Sequence, residues 1–185
     1  YRMNQGRFWA SSYEDKRPEL TNAQRKMLSH YDNATLYNDS IVAQIVKRFQ
    51  KQDAIVIYVP DHGEECYEEN RGFICRNHSA NIDWPLAHYE FEIPFWIYCS
   101  PKYIKAHRKI YKQIRAAKDK RFMTDALPHL LLYLAGIETP TYKEEYNILS
   151  PKYNEMRPRI LKNSVDYDKL RDEYYKKQEK KGAKK

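Results

Sequence analysis

Apolar residues recur at helical spacing along the first third of the chain. They stand three, four or seven positions apart, which places them on one face of an α-helix. The members of this face are Met27, Tyr31, Ala34, Ile41, Ile45 and Phe49. Thr21, just upstream, is a residue type that caps helix N-termini. The pattern therefore predicts one long helix from Thr21 to near Lys51.

Two short apolar runs follow this helix. Residues 54–59 are rich in β-branched side chains and do not alternate with polar ones, which is typical of a parallel strand covered on both faces. Pro60 ends that run. Residues 93–99 form the second run, with Pro94 near its start, where a missing N–H is tolerated. The charged segment 61–92 between the two runs shows no hydrophobic period and predicts an extended loop. Loops of this length in compact domains tend to be functional or disordered.

The second half of the chain predicts two further helices. Residues 103–117 are basic and amphipathic, and residues 125–134 form an apolar run with Thr124 as its cap and Gly136 as its stop. Residues 146–149 predict a short edge strand. Helix, strand, loop, strand and helix in this order indicate an α/β fold, and such sheets place ligand sites beyond the carboxyl ends of their strands.

Charge divides the chain into a body and a tail. The 185 residues include 33 Lys and Arg against 25 Asp and Glu, a formal charge of +8, and residues 169–185 carry eight basic and three acidic residues. We expect an incoming loop at 1–19, the main domain at 20–165 and a basic C-terminal tail at 166–185. The tail is typical of a solvated or frayed helix end, with a membrane-surface role as the alternative. No nucleic-acid motif accompanies the charge, so no nucleic-acid partner is expected.

Hydropathy and cysteine content limit the class of protein further. The longest apolar run, Leu130–Ile137, has eight residues, far short of the about 20 that a bilayer-spanning helix needs. The three cysteines at 66, 75 and 99 lack the spacing of a zinc or disulfide framework. The sequence is compatible both with a Cys66–Cys75 disulfide bridge and with buried free thiols.

The end of the first strand carries candidate metal chemistry. Asp61 and His62 are adjacent in sequence where the strand turns out to solvent, and Gly63 follows. A sharp turn, with Gly63 free to adopt unusual dihedral angles, would let both side chains converge on one cation. A nitrogen and oxygen ligand set suits zinc or a similar divalent metal. A turn cap or a surface ion pair is the plainer interpretation of the same two residues.

A histidine further along the same loop adds a candidate anion contact. His78 stands sixteen residues after His62, close in sequence to Arg71 and Arg76. An imidazole beside guanidinium groups suits an anion held next to a metal. An ordinary exposed loop histidine is the alternative for His78.

These motifs together resemble a known superfamily. Residues 31–39, the strand that leads into Asp-His-Gly-Glu, residues 92–97, residues 130–137 and residues 147–151 look like the C-terminal half of the sulfatase-like alkaline phosphatase superfamily. Within it, they are most similar to the bacterial phosphoethanolamine transferases that modify lipid A and the lipopolysaccharide core. The resemblance covers about residues 31–159 and implies the C-terminal portion of a three-layer α/β fold, with a mixed sheet flanked by helices.

The resemblance also implies an activity. In that family a zinc-dependent enzyme passes a phospholipid head group to a lipopolysaccharide sugar through a phosphothreonine intermediate. By position, Asp61 and His62 correspond to zinc-binding residues. His78 corresponds to a histidine that contacts the substrate phosphate, although Ser79 stands where glycine is usual, and His88 is a second, weaker candidate for that role. One Zn²⁺ is expected, with another divalent metal as the alternative.

Location and completeness follow from the same resemblance. Family members act on a phospholipid donor and a lipopolysaccharide or other glycan acceptor, from an inner-membrane anchor and with a catalytic domain that faces the periplasm. The nucleophilic threonine and an acidic zinc ligand of the family lie upstream of the Asp-His-Gly motif. We therefore expect a C-terminal fragment that is inactive alone, because Thr21, Thr35 and Thr124 fit helix or cap positions.

Three other functions stay open. A sulfatase shares the Asp-His-Gly strand end, but residues 99–103 have Tyr103 where the sulfatase C-x-P-x-R motif needs arginine, and they follow that strand instead of preceding it. A phosphodiesterase or phosphoglycerol transferase would use the same metal site. A non-catalytic scaffold domain would keep the fold without the chemistry.

Overall fold

The computed structural model describes residues 6–76 and 81–182. It consists of two compact units. The first contains the chain up to Val56 together with Tyr98–Lys102, and the second contains Ile57–Ile97 and the chain from Tyr103 onwards.

Helices and short strands alternate along the described chain. The α-helices are α1 (Asn22–Phe49), α2 (Trp84–Phe91), α3 (Pro101–Ala106), α4 (Arg108–Ala116), α5 (Leu127–Ala135) and α6 (Tyr167–Gly182). The strands are β1 (Ile55–Tyr58), β2 (Glu65–Cys66), β3 (Phe73–Cys75), β4 (Trp96–Cys99), β5 (Ile160–Leu161) and β6 (Val165–Asp166). They pair as β1 with β4, β2 with β3 and β5 with β6. The last two pairs are antiparallel.

The long helix forms where the sequence predicts it. Thr21 caps α1 through a capping box with Gln24, in which each side chain bonds the other residue's backbone. The side of α1 that is buried in the first unit carries Leu28, Ser29 and Asn33. Asn33 exchanges two hydrogen bonds with the Phe8 backbone, at 2.9 and 2.8 Å.

The apolar face of α1 differs from the expected packing face. Five of its six members are exposed, namely Met27, Ala34, Ile41, Ile45 and Phe49. Helical spacing identifies a common face, but it does not identify what that face contacts.

The strand pair β1–β4 lies where two strands are expected, with a different geometry. Ser100 N–H donates to the Ala54 carbonyl at 3.0 Å, so the residue after β4 lies beside the residue before β1 and the strands run antiparallel. All four residues of β1 are partly exposed. The prediction of a parallel strand covered on both faces was therefore wrong for the described residues. A short apolar run indicates a strand, but it does not specify the direction of the neighbouring strand.

Two apolar cores are seen among the described residues of the second unit. One contains Ala117, Leu130, Ile148 and Leu149, with Ile110 and Ile114 of α4 packed against it. The other joins α2 to the C-terminal helix: Trp84, Ala87, Leu161 and Tyr167 are buried together, with Leu170 and Tyr174 of α6 against them. The first two turns of α6 are thus packed, whereas the basic end beyond Tyr174 is exposed.

Three further expectations about the elements were wrong. Segment 61–92 contains β2, β3 and α2 in addition to loop. Thr124 opens a 3₁₀ turn, Thr124–Ala126, without making a capping hydrogen bond. Residues 146–149 form no strand: a 3₁₀ turn ends at Tyr146, and Asn147 is buried with its amide donating to Tyr142.

The predicted stop at Gly136 is confirmed. Gly136 ends α5 in a left-handed conformation with φ of 66°.

None of the helices in the described part of the chain combines the length and apolar composition of a bilayer-spanning segment.

Adjacent leucines on α5 test the first core. Leu130 is 0% exposed and Leu131 is 44% exposed. We expect Leu130→Ala to lower the free energy of unfolding by about 2–5 kcal/mol through lost burial and a residual cavity. Urea denaturation measures the change. Leu131→Ala is the matched control, expected within about 1 kcal/mol of wild type, and equal losses in the two variants would contradict this core.

Candidate functional site: the Asp61–His62 turn

The candidate site begins at Asp61, three residues after the end of β1. Val59 and Pro60 lead out of the strand, and the Tyr58 ring stacks on Trp96 of β4 with ring centroids 5.1 Å apart. The strand end is thereby held to its neighbour by an aromatic pair as well as by the sheet. Asp61 and His62 follow in the turn that leaves the sheet.

The two side chains of the turn point toward each other. His62 Nε2 lies 3.5 Å from Asp61 Oδ2, and the Asp61 side chain is 85% exposed against 22% for His62. His62 Nδ1 lies 2.8 Å from the Gly63 carbonyl oxygen. A carbonyl only accepts hydrogen bonds, so Nδ1 donates, and in the neutral ring Nε2 keeps the lone pair that faces Asp61.

This geometry fits two ligands of one zinc ion. Metal–ligand bonds of about 2.0–2.2 Å at a tetrahedral angle separate two ligand atoms by about 3.4 Å. A hydrogen bond from the second imidazole nitrogen to a carbonyl is also the usual way a metal-binding histidine is oriented. Within residues 6–76 and 81–182, no cluster of three or more His, Cys, Asp or Glu side chains could hold a metal. The described residues thus contain two candidate ligands.

Gly63 brings the turn into contact with α2. Its N–H donates to the Glu90 carbonyl at 2.8 Å. A Cβ at this position would lie 2.1 Å from the Tyr89 carbonyl oxygen. Among the described glycines, Gly72 and Gly136 have positive φ, and Gly63 does not. The prediction that Gly63 adopts an unusual backbone conformation was therefore wrong. Glycine is needed here because two backbone segments come too close for any side chain.

The two candidate phosphate-binding histidines have different outcomes. His78 lies outside the described residues. His88 is on α2, with Nδ1 3.1 Å from Glu92 Oε2 and its ring stacked on Trp84. Burial raises the pKa of Glu92, but hydrogen bonds from Tyr167 and His88 outweigh it, and the net pKa is below its usual value. The described contacts of His88 therefore connect α2 with Glu92 and the aromatic core.

A buried ion pair that the sequence analysis missed holds the loop next to the site. Glu65 of β2 is fully buried, and Arg71 Nε donates to its Oε1 at 2.5 Å. Arg71 also donates to Asp83 at 2.7 Å. The hydrogen bond with Glu65, together with a weaker one to Asp83, raises the pKa of Arg71 although burial lowers it.

Asp83 connects this ion pair to α2. Its Oδ1 accepts from Leu86 N–H at 3.0 Å, which caps the helix, and Pro85 occupies the first turn. Asp followed closely by Pro is a sequence signal for a helix start that could have located α2. The Glu65–Arg71 contact has no comparable local signal.

Residues 99–103 have a structural role. Cys99 ends β4, and burial raises the pKa of its thiol. The Ser100 hydroxyl donates to the Gln52 carbonyl at 2.5 Å and accepts from Ala54 N–H at 3.3 Å. The segment is a strand end that leads into α3.

Comparison with known proteins identifies the family. The Sulfatase family model matches residues 6–137. The chain belongs to the sulfatase family. The phosphoethanolamine transferase EptC of Escherichia coli (strain K12) is 30% identical over 177 residues, which cover 92% of this chain and 29% of that protein. The chain thus spans less than a third of the length of this relative.

Solved structures give the same assignment for the fold. The C-terminal periplasmic domain of EptC from E. coli is 28% identical, with a TM-score of 0.69, over 91% of this chain and 47% of that one. The same domain in complex with Zn is 28% identical, with a TM-score of 0.65, over 80% and 42%. The expected sulfatase-like α/β fold and the resemblance to phosphoethanolamine transferases are confirmed.

A methyl group at position 63 tests the contact that positions the turn. We expect Gly63→Ala to lower the free energy of unfolding by about 2–3 kcal/mol, because the added Cβ meets a backbone carbonyl that cannot move independently of α2. Urea denaturation provides the measurement. Gly72→Ala is the comparison: its Cβ meets nothing within 4 Å, so only the left-handed backbone contributes, at about 1 kcal/mol. A Gly63→Ala chain as stable as wild type would refute the close approach.

Removal of one partner tests the buried ion pair. We expect Arg71→Met to cost about 3 kcal/mol of unfolding free energy, since the Glu65 carboxylate would stay buried without its cation. Arg76→Met is the control, because Arg76 is exposed in the same segment, and its cost should stay below about 0.5 kcal/mol. The second substitution Glu65→Gln should recover part of the Arg71→Met loss. Absence of any recovery would show that the loss came from packing alone.

Proposed function

We propose that this chain is the C-terminal part of a metal-dependent phosphoethanolamine transferase, and that Asp61 and His62 are two of its zinc ligands. The observation that carries the proposal is the 3.5 Å approach of His62 Nε2 to Asp61 Oδ2, in a chain that belongs to the sulfatase family. The zinc complex of the EptC domain supports the choice of metal.

In this proposal the remaining ligands and the nucleophilic threonine come from residues outside this chain. A bound zinc would lower the pKa of the nucleophile and offset charge at the phosphoryl group. Asp61 and His62 would hold the metal, with the Gly63 carbonyl fixing the His62 ring and α2 fixing the backbone of the turn. The threonine oxygen attacks the phosphorus of a phosphatidylethanolamine donor, and the bond to the diacylglycerol oxygen breaks. An acceptor hydroxyl on a lipopolysaccharide sugar then displaces the threonine.

His78 and His88 keep distinct positions in the proposal. His78, and less favourably His88, would contact the non-bridging phosphate oxygens, as an imidazolium or neutral donor does in phosphoryl transfer. The intact enzyme would act at the periplasmic side of the inner membrane. This chain alone would lack transferase activity.

Metal analysis of the full-length protein tests the site. We expect about one zinc per chain in the wild type, in line with a single tetrahedral site, and loss of that zinc in Asp61→Ala and in His62→Ala. Asp119→Ala and His107→Ala are matched controls that should retain it, and the Asp119 side chain is 85% exposed, as that of Asp61 is. A folded wild type without metal would refute the site and favour the scaffold interpretation.

The substrate separates the enzymes of this family. Diacylglycerol released from phosphatidylethanolamine vesicles, with the phosphoethanolamine recovered on a glycan acceptor, is the result that the proposal requires. Hydrolysis of an aryl sulfate instead would identify a sulfatase. Release of the head group to water alone would identify a phosphodiesterase.

A further inference from the structure

The net charge of the chain is concentrated in one short segment. Residues 101–121 contain nine Lys and Arg and one Asp, a net charge of +8, which equals the formal charge of the whole 185-residue chain. The remaining 164 residues are therefore balanced overall. Most of the segment belongs to α3 and α4 in contiguous sequence.

The inward face of α4 fixes the orientation of this charge. Ile110 and Ile114 pack against the core that contains Leu130 and Leu149. Between them, Gln113 donates to the Leu149 carbonyl at 3.3 Å and accepts from the Tyr133 hydroxyl at 2.9 Å. Two apolar contacts and two hydrogen bonds on one side leave α4 no freedom to rotate about its axis.

The opposite side of α4 presents a row of cations. Arg108, Lys112 and Arg115 are all exposed and stand at positions i, i+4 and i+7, which align along about 10 Å of one helix face. Lys109 flanks the row and is also exposed. We call Arg108, Lys109, Lys112 and Arg115 the α4 cationic face.

No acidic side chain in the described ranges forms an ion pair with the α4 cationic face. Arg115 has a 3.5 Å contact with the Tyr111 hydroxyl as its described partner. Nearby cations of the same segment differ: Lys120 donates to the Ile148 carbonyl, and Arg121 pairs with Asp168. Lys120 and Arg121 therefore have partners within the protein. The α4 cationic face has no carboxylate partner among the described residues, so it is available to an external anion.

The chemistry of the face selects the class of anion. The Tyr111 ring is partly exposed beside Arg115, but a single ring does not provide the series of aromatic platforms on which single-stranded nucleic-acid sites stack successive bases. Rows of Lys and Arg bind anionic lipid head groups, each adding roughly a factor of five in affinity. Because the apolar side of α4 is already packed in the protein core, binding would occur at head-group level without insertion and would weaken with salt.

We propose that the α4 cationic face binds an anionic lipid surface and holds this part of the enzyme against the membrane that carries its substrates. The choice of a lipid partner rests on the proposed function. The binding itself requires neither metal nor turnover.

Vesicle flotation with the full 185-residue chain tests the proposal. The probes are vesicles of phosphatidylcholine alone and of equimolar phosphatidylcholine and phosphatidylglycerol, at low and high ionic strength. We expect binding to the anionic vesicles at low ionic strength, and roughly 100-fold weaker binding of the triple variant Arg108→Gln/Lys112→Gln/Arg115→Gln. Circular dichroism confirms that the variant keeps the wild-type fold.

A charge-matched variant makes the test specific. Lys176→Gln/Lys177→Gln/Lys180→Gln removes the same three charges from the exposed end of α6. It should retain vesicle affinity within about threefold of wild type, since these lysines lie outside the face. Equal losses in both triple variants would overturn the proposal in favour of net charge. Unchanged vesicle binding by the α4 variant, with loss of binding to a single-stranded oligonucleotide, would overturn it in favour of nucleic acid.

The two proposals fail separately. Zinc in the full-length wild type, with no vesicle binding by the 185-residue chain, refutes the membrane-facing role of α4 alone. Vesicle binding that is lost in the α4 variant, with no zinc in the full-length wild type, supports the surface and refutes the metal site.

Discussion

The candidate site depends on the close approach of the Gly63 backbone to the last turn of α2. The N–H of Gly63 bonds the Glu90 carbonyl, and the space of its absent side chain is occupied by the Tyr89 carbonyl. Asp61 and His62 precede this contact directly, so their backbone position is determined by where α2 lies. The position of the Asp61–His62 pair thus depends on the placement of α2.

Two different interactions place α2. At its N-terminus, Asp83 caps the helix and accepts from Arg71, which in turn neutralises buried Glu65. Along its length, Trp84 packs against Tyr167 with ring centroids 5.4 Å apart. A buried ion pair contributes little net stability because desolvation opposes it, but it penalises any arrangement that separates the partners. The aromatic core supplies the burial, and the ion pair restricts the geometry.

Local signals in the sequence predicted the elements and the candidate pair, whereas long-range contacts decided their arrangement. The cap at Thr21, the apolar run at Ile55–Tyr58 and the stop at Gly136 each act through neighbouring residues, and all three were found. The sequence suggested that Gly63 is needed for its backbone freedom, whereas glycine is required there because the Tyr89 carbonyl leaves no space for a side chain. This contact joins residues 26 positions apart, so no local pattern indicates it. The Glu65–Arg71 pair escaped notice since an isolated charged residue predicts exposure.

The α4 cationic face shows how a fold can carry charge that its stability does not require. Like charges at i and i+4, such as Arg108 and Lys112, cost a helix about 0.2–0.5 kcal/mol per pair. Packing of Ile110 and Ile114 against the Leu130 core outweighs this, at roughly 1–2 kcal/mol for a partly buried isoleucine. Arg121 and Arg159, by contrast, both bind Asp168, where hydrogen bonds from Arg159 hold the pKa of that carboxyl below its usual value. Arg121, Arg159 and Lys120 thus have partners within the second unit, whereas no carboxylate among the described residues pairs with the row on α4.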